Sequence, residues 1–178
     1  MKLFTNQKGG TLMEFTIRAL EESDKQSKAL VHYQSWIETY EDIAVNNYLE
    51  NLNKDQFIKK SALQDVPTLV AIVNNEVVGF IAYGKTQEVN DNDDWSQIYA
   101  LYLLEEYQNH LIGFALTQRA LELSYPDNMT LWVVEENDNA IAFYEQIGFK
   151  TTKHTSPIYF GKTYNEIRMD FYRMEHEN

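Results

Sequence analysis

Four histidines, His32, His110, His154 and His176, stand far apart in the chain and in no spacing that gathers a metal ion, and there is no cysteine. A thiolate nucleophile, a zinc–thiolate centre and a disulfide are thereby excluded, and any acyl transfer has to proceed without a cysteinyl intermediate. No Ser-His-Asp arrangement can be read from the chain order, so neither metal catalysis nor serine hydrolysis is indicated. The carboxylates that cluster do so in polar surroundings. Asp91, Asp93 and Asp94 share a segment that reads as a solvated loop and, alternatively, as a field that attracts a polycation. Glu135 and Glu136 precede a helical run, where adjacent carboxylates complement the helix dipole. With 15 basic and 27 acidic residues the net charge is −12. That field repels nucleic acid and anionic membranes and favours cationic partners, although solubility alone would also account for it.

The elements that must position such groups can be read from periodicity. Residues 14–19 alternate Phe15, Ile17 and Ala19 against polar neighbours, the period of a half-buried strand. Ser23 and Gln26 have the spacing of a capping box, and Leu30, Tyr33, Ile37 and Tyr40 then recur at helical spacing, predicting a helix to about residue 39. Tyr33, Trp36 and Tyr40 on it read as core aromatics. Shorter helices are expected over 45–52 and 55–63, with Pro67 closing the helical region. Two strands, 69–73 and 77–83, are joined across Asn74 and Asn75, residues that tolerate the positive φ of a tight hairpin turn. A loop over 88–95 leads to a strand over 97–103. Ile112, Ala115, Leu116, Ala120 and Leu123 form a helical stripe closed by Pro126, and 130–134 reads as a buried strand. A helix over 139–146 has Asn137 or Asp138 to cap it and Gly148 to end it. Strands near 149–154 and 164–172 finish the chain. Residues 1–12 read as a loose leader or alternative start and 13–178 as one domain of ordinary size. No signal-peptide or membrane-spanning run appears, so a soluble cytoplasmic protein is expected.

This order, with the run Asn137-Asp138-Asn139-Ala140-Ile141-Ala142-Phe143-Tyr144-Glu145-Gln146-Ile147-Gly148-Phe149, resembles the GNAT superfamily of N-acetyltransferases, whose corresponding helix commonly reads N-x-x-A-x-x-F-Y-x-x-x-G-F. The resemblance extends from about Met13 to Phe171. Val77-Val78-Gly79-Phe80 is similar to the family's third strand, and Tyr99 to Gln108 to its fourth strand running into a pyrophosphate loop. Ser35-Trp36-Ile37-Glu38-Thr39-Tyr40 resembles the first helix of a bacterial subgroup that includes spermidine and spermine acetyltransferases. The resemblance implies an α/β (α+β) fold, a mixed, mostly antiparallel sheet of about seven strands flanked by about four helices. It implies acetyl-CoA as co-substrate, with no metal.

It also implies a site. Leu101, Tyr102 and Leu103 would lie against the pantetheine and thioester. The loop Gln108, Asn109, His110, Leu111, Ile112, Gly113 and Phe114 would hold the pyrophosphate, because successive N–H groups at a helix N-terminus present positive charge and glycine allows close approach. Family loops typically read Q/R-x-x-G-x-G/A; Gln108 and Gly113 fit, His110 stands where a basic residue is frequent, and Leu111 takes the place of the first glycine. A left-handed backbone at Leu111 would cost about 1–2 kcal/mol, read here as about tenfold weaker coenzyme binding or a shifted loop. Asn137 would contact the pantetheine or cap its helix. Tyr144 maps onto the tyrosine that protonates the coenzyme sulfur, and a phenol of ordinary pKa near 10 holds its proton at neutral pH. The general base is left unassigned, a residue or a water; some relatives carry a glutamate where Gln97 stands. Tyr33, Trp36 and Tyr40 would line the acceptor pocket. The expected activity is direct acetyl transfer, in a ternary complex, to a primary amine of a small cationic acceptor such as a polyamine, with a protein N-terminus also conceivable and a homodimer suggested by relatives. The alternative is a catalytically silent module that binds acyl-CoA or a protein.

Overall fold

A computed structural model describes residues 2–8, 11–44, 47–86, 95–108 and 111–173, those before Met13 by their backbone alone. The elements follow in the order β1 (Lys2–Lys8), β2 (Thr11–Ala19), α1 (Lys25–Tyr40), α2 (Lys54–Ala62), β3 (Thr68–Val73), β4 (Glu76–Lys85), β5 (Trp95–Leu103), α3 (Ile112–Leu123), β6 (Asn128–Val134), α4 (Asp138–Ile147), β7 (Lys150–Tyr159) and β8 (Thr163–Phe171). They form one sheet in the order β1-β2-β3-β4-β5-β6-β8-β7. Every neighbouring pair is antiparallel except β5 and β6. The strands β2 to β8 supply the expected seven, and the chain before Met13 adds an eighth: in place of a loose leader, β1 pairs with β2 from Lys2↔Ile17 to Lys8↔Thr11.

Alternation along the strands splits the apolar residues between two layers. On one face α3 and α4 cover Phe15, Ile81, Ile98, Leu131 and Met169. On the other, α1 lies over Val70, Phe80 and Ala82, with an aromatic annex of Trp36, Tyr40, Phe160 and Tyr164 at one end. Asn74 and Asn75 take φ values of 49° and 66°, the doubly left-handed turn that their side chains tolerate, and the β3–β4 hairpin closes as expected.

Three local expectations are corrected. Helix α1 begins at Lys25 after a short 3-10 turn, Glu22–Asp24, and Asp24 rather than Ser23 serves its entry, accepting the Glu21 N–H at 2.9 Å and the Arg18 guanidinium. Of the helix expected over 45–52, the described residues 47–51 form hydrogen-bonded turns instead, in which Asn47 takes φ 72°, a conformation that interrupts a right-handed helix. The strand expected to end at residue 154 runs on through Pro157 to Tyr159. Because β7 is the last strand of the sheet, a proline there can leave its missing N–H on the open edge.

Candidate active site

The β5–β6 pair is parallel and short. Pairing holds from Trp95↔Asn128 to Ile98↔Leu131 and then stops, although β5 continues to Leu103 and β6 to Val134. The cause lies on the opposite edge of β5. There the register with β4 steps from Ala82↔Ala100 to Tyr83↔Ile98, so Tyr99 is an extra residue, a bulge anchored by its hydroxyl donating to the Lys85 carbonyl at 2.5 Å. A bulge bends its strand and sharpens its twist. Beyond it β5 leaves β6, and the edge of Leu101, Tyr102 and Leu103 that would have faced β6 has no strand partner. Such an edge offers backbone donors and acceptors to an extended ligand.

The gap also joins the two faces of the sheet. Tyr102 belongs to the α1 layer, whereas Leu101 and Leu103 pack with the α3–α4 layer. Tyr144, on α4, is only 8 % exposed and is held between Phe143 and Phe149 at ring distances of 5.1 and 5.5 Å. Although it comes from the α4 side, its hydroxyl lies within electrostatic reach of Tyr40 and Tyr102, which also influence each other. Burial pushes all three phenols above their ordinary range. They therefore act as hydrogen-bond donors at any neutral pH, and full loss of a proton from Tyr144 is uphill.

After β5 a short 3-10 turn, Glu105–Tyr107, leads to the loop. The turn is tied down twice: Glu38 of α1 accepts the Glu105 N–H at 3.1 Å, and the Gln108 side chain donates to the Leu103 carbonyl at 3.3 Å. Asn109 and His110 lie outside the described residues. Leu111 is left-handed, φ 60° and ψ 1°, and precedes an α3 that starts in place at Ile112. The first hydrogen bond of the helix runs from the Ala115 N–H to the Leu111 carbonyl, leaving the N–H groups of Ile112, Gly113 and Phe114 without helical partners. No side chain caps this end and its first turn holds no acidic residue, which suits an anion. A Cβ on Gly113 would stand 3.3 Å from the Phe143 ring, so glycine is what lets α3 approach α4 here. Leu111 thus takes the conformation a glycine would take without displacing the helix.

Other sequence-derived candidates fall in different places. The Asn137 side chain caps α4, accepting the Ala140 N–H at 3.1 Å. Gln97 sits in the paired half of β5, in reach of Thr86 at 3.5 Å, away from the gap. Glu135 and Glu136 are exposed. Trp36 and Tyr40 contact each other, with ring centres 4.9 Å apart, and both pack on Phe160, whereas Tyr33 turns to Phe57 and Lys54. Asp91, Asp93 and Asp94 lie outside the described residues. His32 is bonded to Ser61 at 2.8 Å, and burial beside Lys28 pushes its pKa down to about 3, so it stays neutral. Among the described residues no group of three histidine or acidic side chains could hold a metal ion, and no helix is long and apolar enough to cross a membrane.

Glu166 on β8 was not foreseen. It pairs with Val134, the last residue of β6, beside the gap, and its charge reaches Tyr40 and Tyr102. The alternation of Ile167, Met169 and Phe171 carried the signal, because it puts Tyr164 and Glu166 together on the opposite, aromatic face.

Comparison with known proteins agrees with this geometry. The profile of the Acetyltransferase (GNAT) family matches residues 31–149. The chain is 31% identical over 135 residues to the uncharacterized N-acetyltransferase YuaI of Bacillus subtilis (strain 168), covering 73% of this chain and 77% of YuaI. It is 26% identical over 150 residues to the spermidine N(1)-acetyltransferase of Thermoplasma acidophilum, covering 78% of this chain and 89% of that enzyme. Among solved structures it is similar in fold to the PaiA N-acetyltransferase of Thermoplasma acidophilum in complex with coenzyme A, with a TM-score of 0.67 at 22% identity over 89% of this chain and 100% of that one.

Proposed function

This chain belongs to the GNAT acetyltransferase family and is an acetyl-CoA-dependent N-acetyltransferase, and from that premise we propose that its acceptor is a small cationic amine, a polyamine being the model case, acetylated directly in a ternary complex. The observation that carries the proposal is the β5–β6 gap, where Tyr144 from the α4 side comes within electrostatic reach of Tyr40 and Tyr102. Acetyl-CoA supplies the thioester carbonyl that the amine attacks. The chain supplies the positions. The N–H groups of Ile112, Gly113 and Phe114, which precede the first helical hydrogen bond, fit the pyrophosphate, with the Gln108 side chain bonded to the Leu103 carbonyl beside them. The unpaired edge of Leu101, Tyr102 and Leu103 fits the pantetheine arm. The Tyr144 hydroxyl donates a hydrogen bond toward the departing sulfur, and its raised pKa suits donation better than complete proton loss.

The cationic acceptor is supported by the net charge of −12, by the aromatic wall of Trp36, Tyr40 and Phe160, and by the half-buried carboxylate of Glu166. The name of the Thermoplasma relative, a spermidine N(1)-acetyltransferase, points the same way. Against a silent module stand an α3 that starts directly after Leu111 and the Glu166 carboxylate beside the end of β6. The test is calorimetric titration with acetyl-CoA, using free CoA and ATP as controls, followed by CoA release with spermidine, spermine and neutral amines at saturating acetyl-CoA. Release with the cationic amines and an N-acetylated product by mass spectrometry are expected. Equal rates with neutral amines would overturn the cationic acceptor.

A further inference from the structure

We infer that the Glu166 carboxylate receives the acceptor's ammonium group and takes its proton before transfer, an assignment that rests on the function proposed above. Glu166 lies within a strand flanked on both sides, by Val134 of β6 and Ser156 of β7, so its backbone is fixed at the end of β6 where the gap opens. Its side chain is half-buried, and among the described residues no hydrogen-bond donor or cation is bonded to its carboxylate. An unpartnered carboxylate in such a place lacks the compensation that buried charges in a stable fold normally have. The nearest cation along the strand, Arg168, is engaged by Asp170 at 2.7 Å and lies over the Trp95 ring at 5.2 Å. Lys162 lies over Tyr164 at 4.7 Å.

Among the described residues, the titratable groups that its charge reaches from the other elements are phenols: Tyr40 from α1 and Tyr102 from β5. They are neutral and leave the carboxylate's charge uncancelled. The aromatic faces of Trp36, Tyr40 and Phe160, with ring centres 4.8 to 5.5 Å apart, adjoin the same end of the sheet. A cation can be stabilised along such faces on its way to a carboxylate. Burial raises the Glu166 carboxyl above the ordinary range, which brings it closer to the pH at which it must work as a base.

The proton balance follows. The ammonium gives one proton to the carboxylate, which becomes the carboxylic acid, and the freed lone pair forms the C–N bond. As the C–S bond breaks, the sulfur takes the second amine proton, passed in one motion through the Tyr144 hydroxyl, which donates to the sulfur as it accepts from the nitrogen. The proton on Glu166 returns to solvent, so one proton is released per turnover. A primary alkyl ammonium with a lysine-like pKa near 10.4 is neutral in only about one molecule in a thousand at pH 7.4, and this is the deficit that a base at this position offsets.

The experiment combines kinetics and NMR on the full chain and its Glu166→Gln variant, with spermidine as the amine. For the wild type, kcat/KM should rise with pH through the Glu166 pKa and then level off. For Glu166→Gln it should be lower by about a hundredfold or more at pH 7 and should rise continuously toward the pKa of the amine, while the calorimetric affinity for acetyl-CoA stays unchanged. In the carboxyl 13C spectrum, the one glutamate resonance lost in the variant should titrate above the others and move when spermidine is added without acetyl-CoA. A variant that keeps the wild-type pH profile, or a resonance indifferent to spermidine, overturns the assignment. Turnover with an unchanged variant would leave the acetyltransferase reading standing and remove Glu166 from it. A spermidine-sensitive Glu166 without turnover would support the binding site and overturn spermidine as acceptor.

Discussion

Replacing Leu111 with glycine separates strain that belongs to folding from strain that belongs to binding. At φ 60° and ψ 1° the leucine Cβ is in a conformation that costs about 1–2 kcal/mol, which glycine would relieve. Against this, glycine adds conformational freedom to the unfolded chain, about 0.5–1 kcal/mol. The leucine side chain is 57 % exposed, and the covered remainder, set against about 1.5–3 kcal/mol for burying a whole leucine, represents about 1 kcal/mol that glycine forfeits. The contributions nearly cancel, so the melting temperature should stay within about 3 °C of wild type. For the ligand the argument is simpler: with Leu111 keeping this backbone when acetyl-CoA binds, the strain is common to both states, and the Kd for acetyl-CoA should change by less than about threefold in either direction. Thermal melts and calorimetry on the same preparations measure both. Tenfold tighter binding by Leu111→Gly would refute the reasoning, because it would place about 1.4 kcal/mol of strain in the complex alone and require the loop to change shape on binding.

Tyr144→Phe should lower turnover about a hundredfold while leaving acetyl-CoA affinity nearly unchanged, and a wild-type rate in a steady-state assay would remove the hydroxyl from the reaction. Gly79→Ala would put a Cβ 2.8 Å from Leu103 Cγ and 3.0 Å from the Tyr102 carbonyl; the carbonyl cannot yield easily, so a loss of about 1–3 kcal/mol in urea unfolding is expected, together with weaker acetyl-CoA binding as β5 shifts. Lys28 is 2 % exposed, bonds the Ser61 carbonyl and hydroxyl at 3.1 and 3.2 Å, and is pushed by burial down to a pKa of about 8. The unfolded chain then holds more protons than the native one between about pH 8 and the ordinary lysine value near 10.4, so the wild type should gain stability relative to Lys28→Met across that window. A difference in urea midpoints that stays constant from pH 7.5 to 10 would contradict this.

What could be read from the sequence was local. Asn74-Asn75 announces its turn because two adjacent residues tolerate positive φ, and the Phe143-Tyr144 run with Gly148 marks a helix and its end within a dozen positions. The misses depend on neighbours distant in the chain. Nothing in the order of residues 95–103 shows that Tyr99 is a bulge, because a bulge exists only relative to the register with β4. The extension of β7 through Pro157 is permitted by its place at the sheet edge, which is a fact about strand order. Glu166 was hidden for the same reason: its strand was legible, but not that β8 is inserted between β6 and β7, bringing this residue beside the last residue of β6.

That strand order connects the two halves of the site. A sheet ordinarily keeps its faces apart, and Tyr144 on one side would have no route to Tyr40 and Tyr102 on the other. The Tyr99 bulge ends the β5–β6 pairing after four residue pairs, and across the opening Tyr144 comes within electrostatic reach of Tyr40 and Tyr102. Because β8 continues the sheet beyond β6, a carboxylate at position 166 borders that opening opposite the free edge of β5. The thioester and the amine would therefore arrive from opposite sides, one along the edge of β5 and the other over the aromatic wall of α1. The geometry thus favours a direct encounter of donor and acceptor, which needs no acylated residue on the chain, in accord with a sequence that contains no cysteine to carry one.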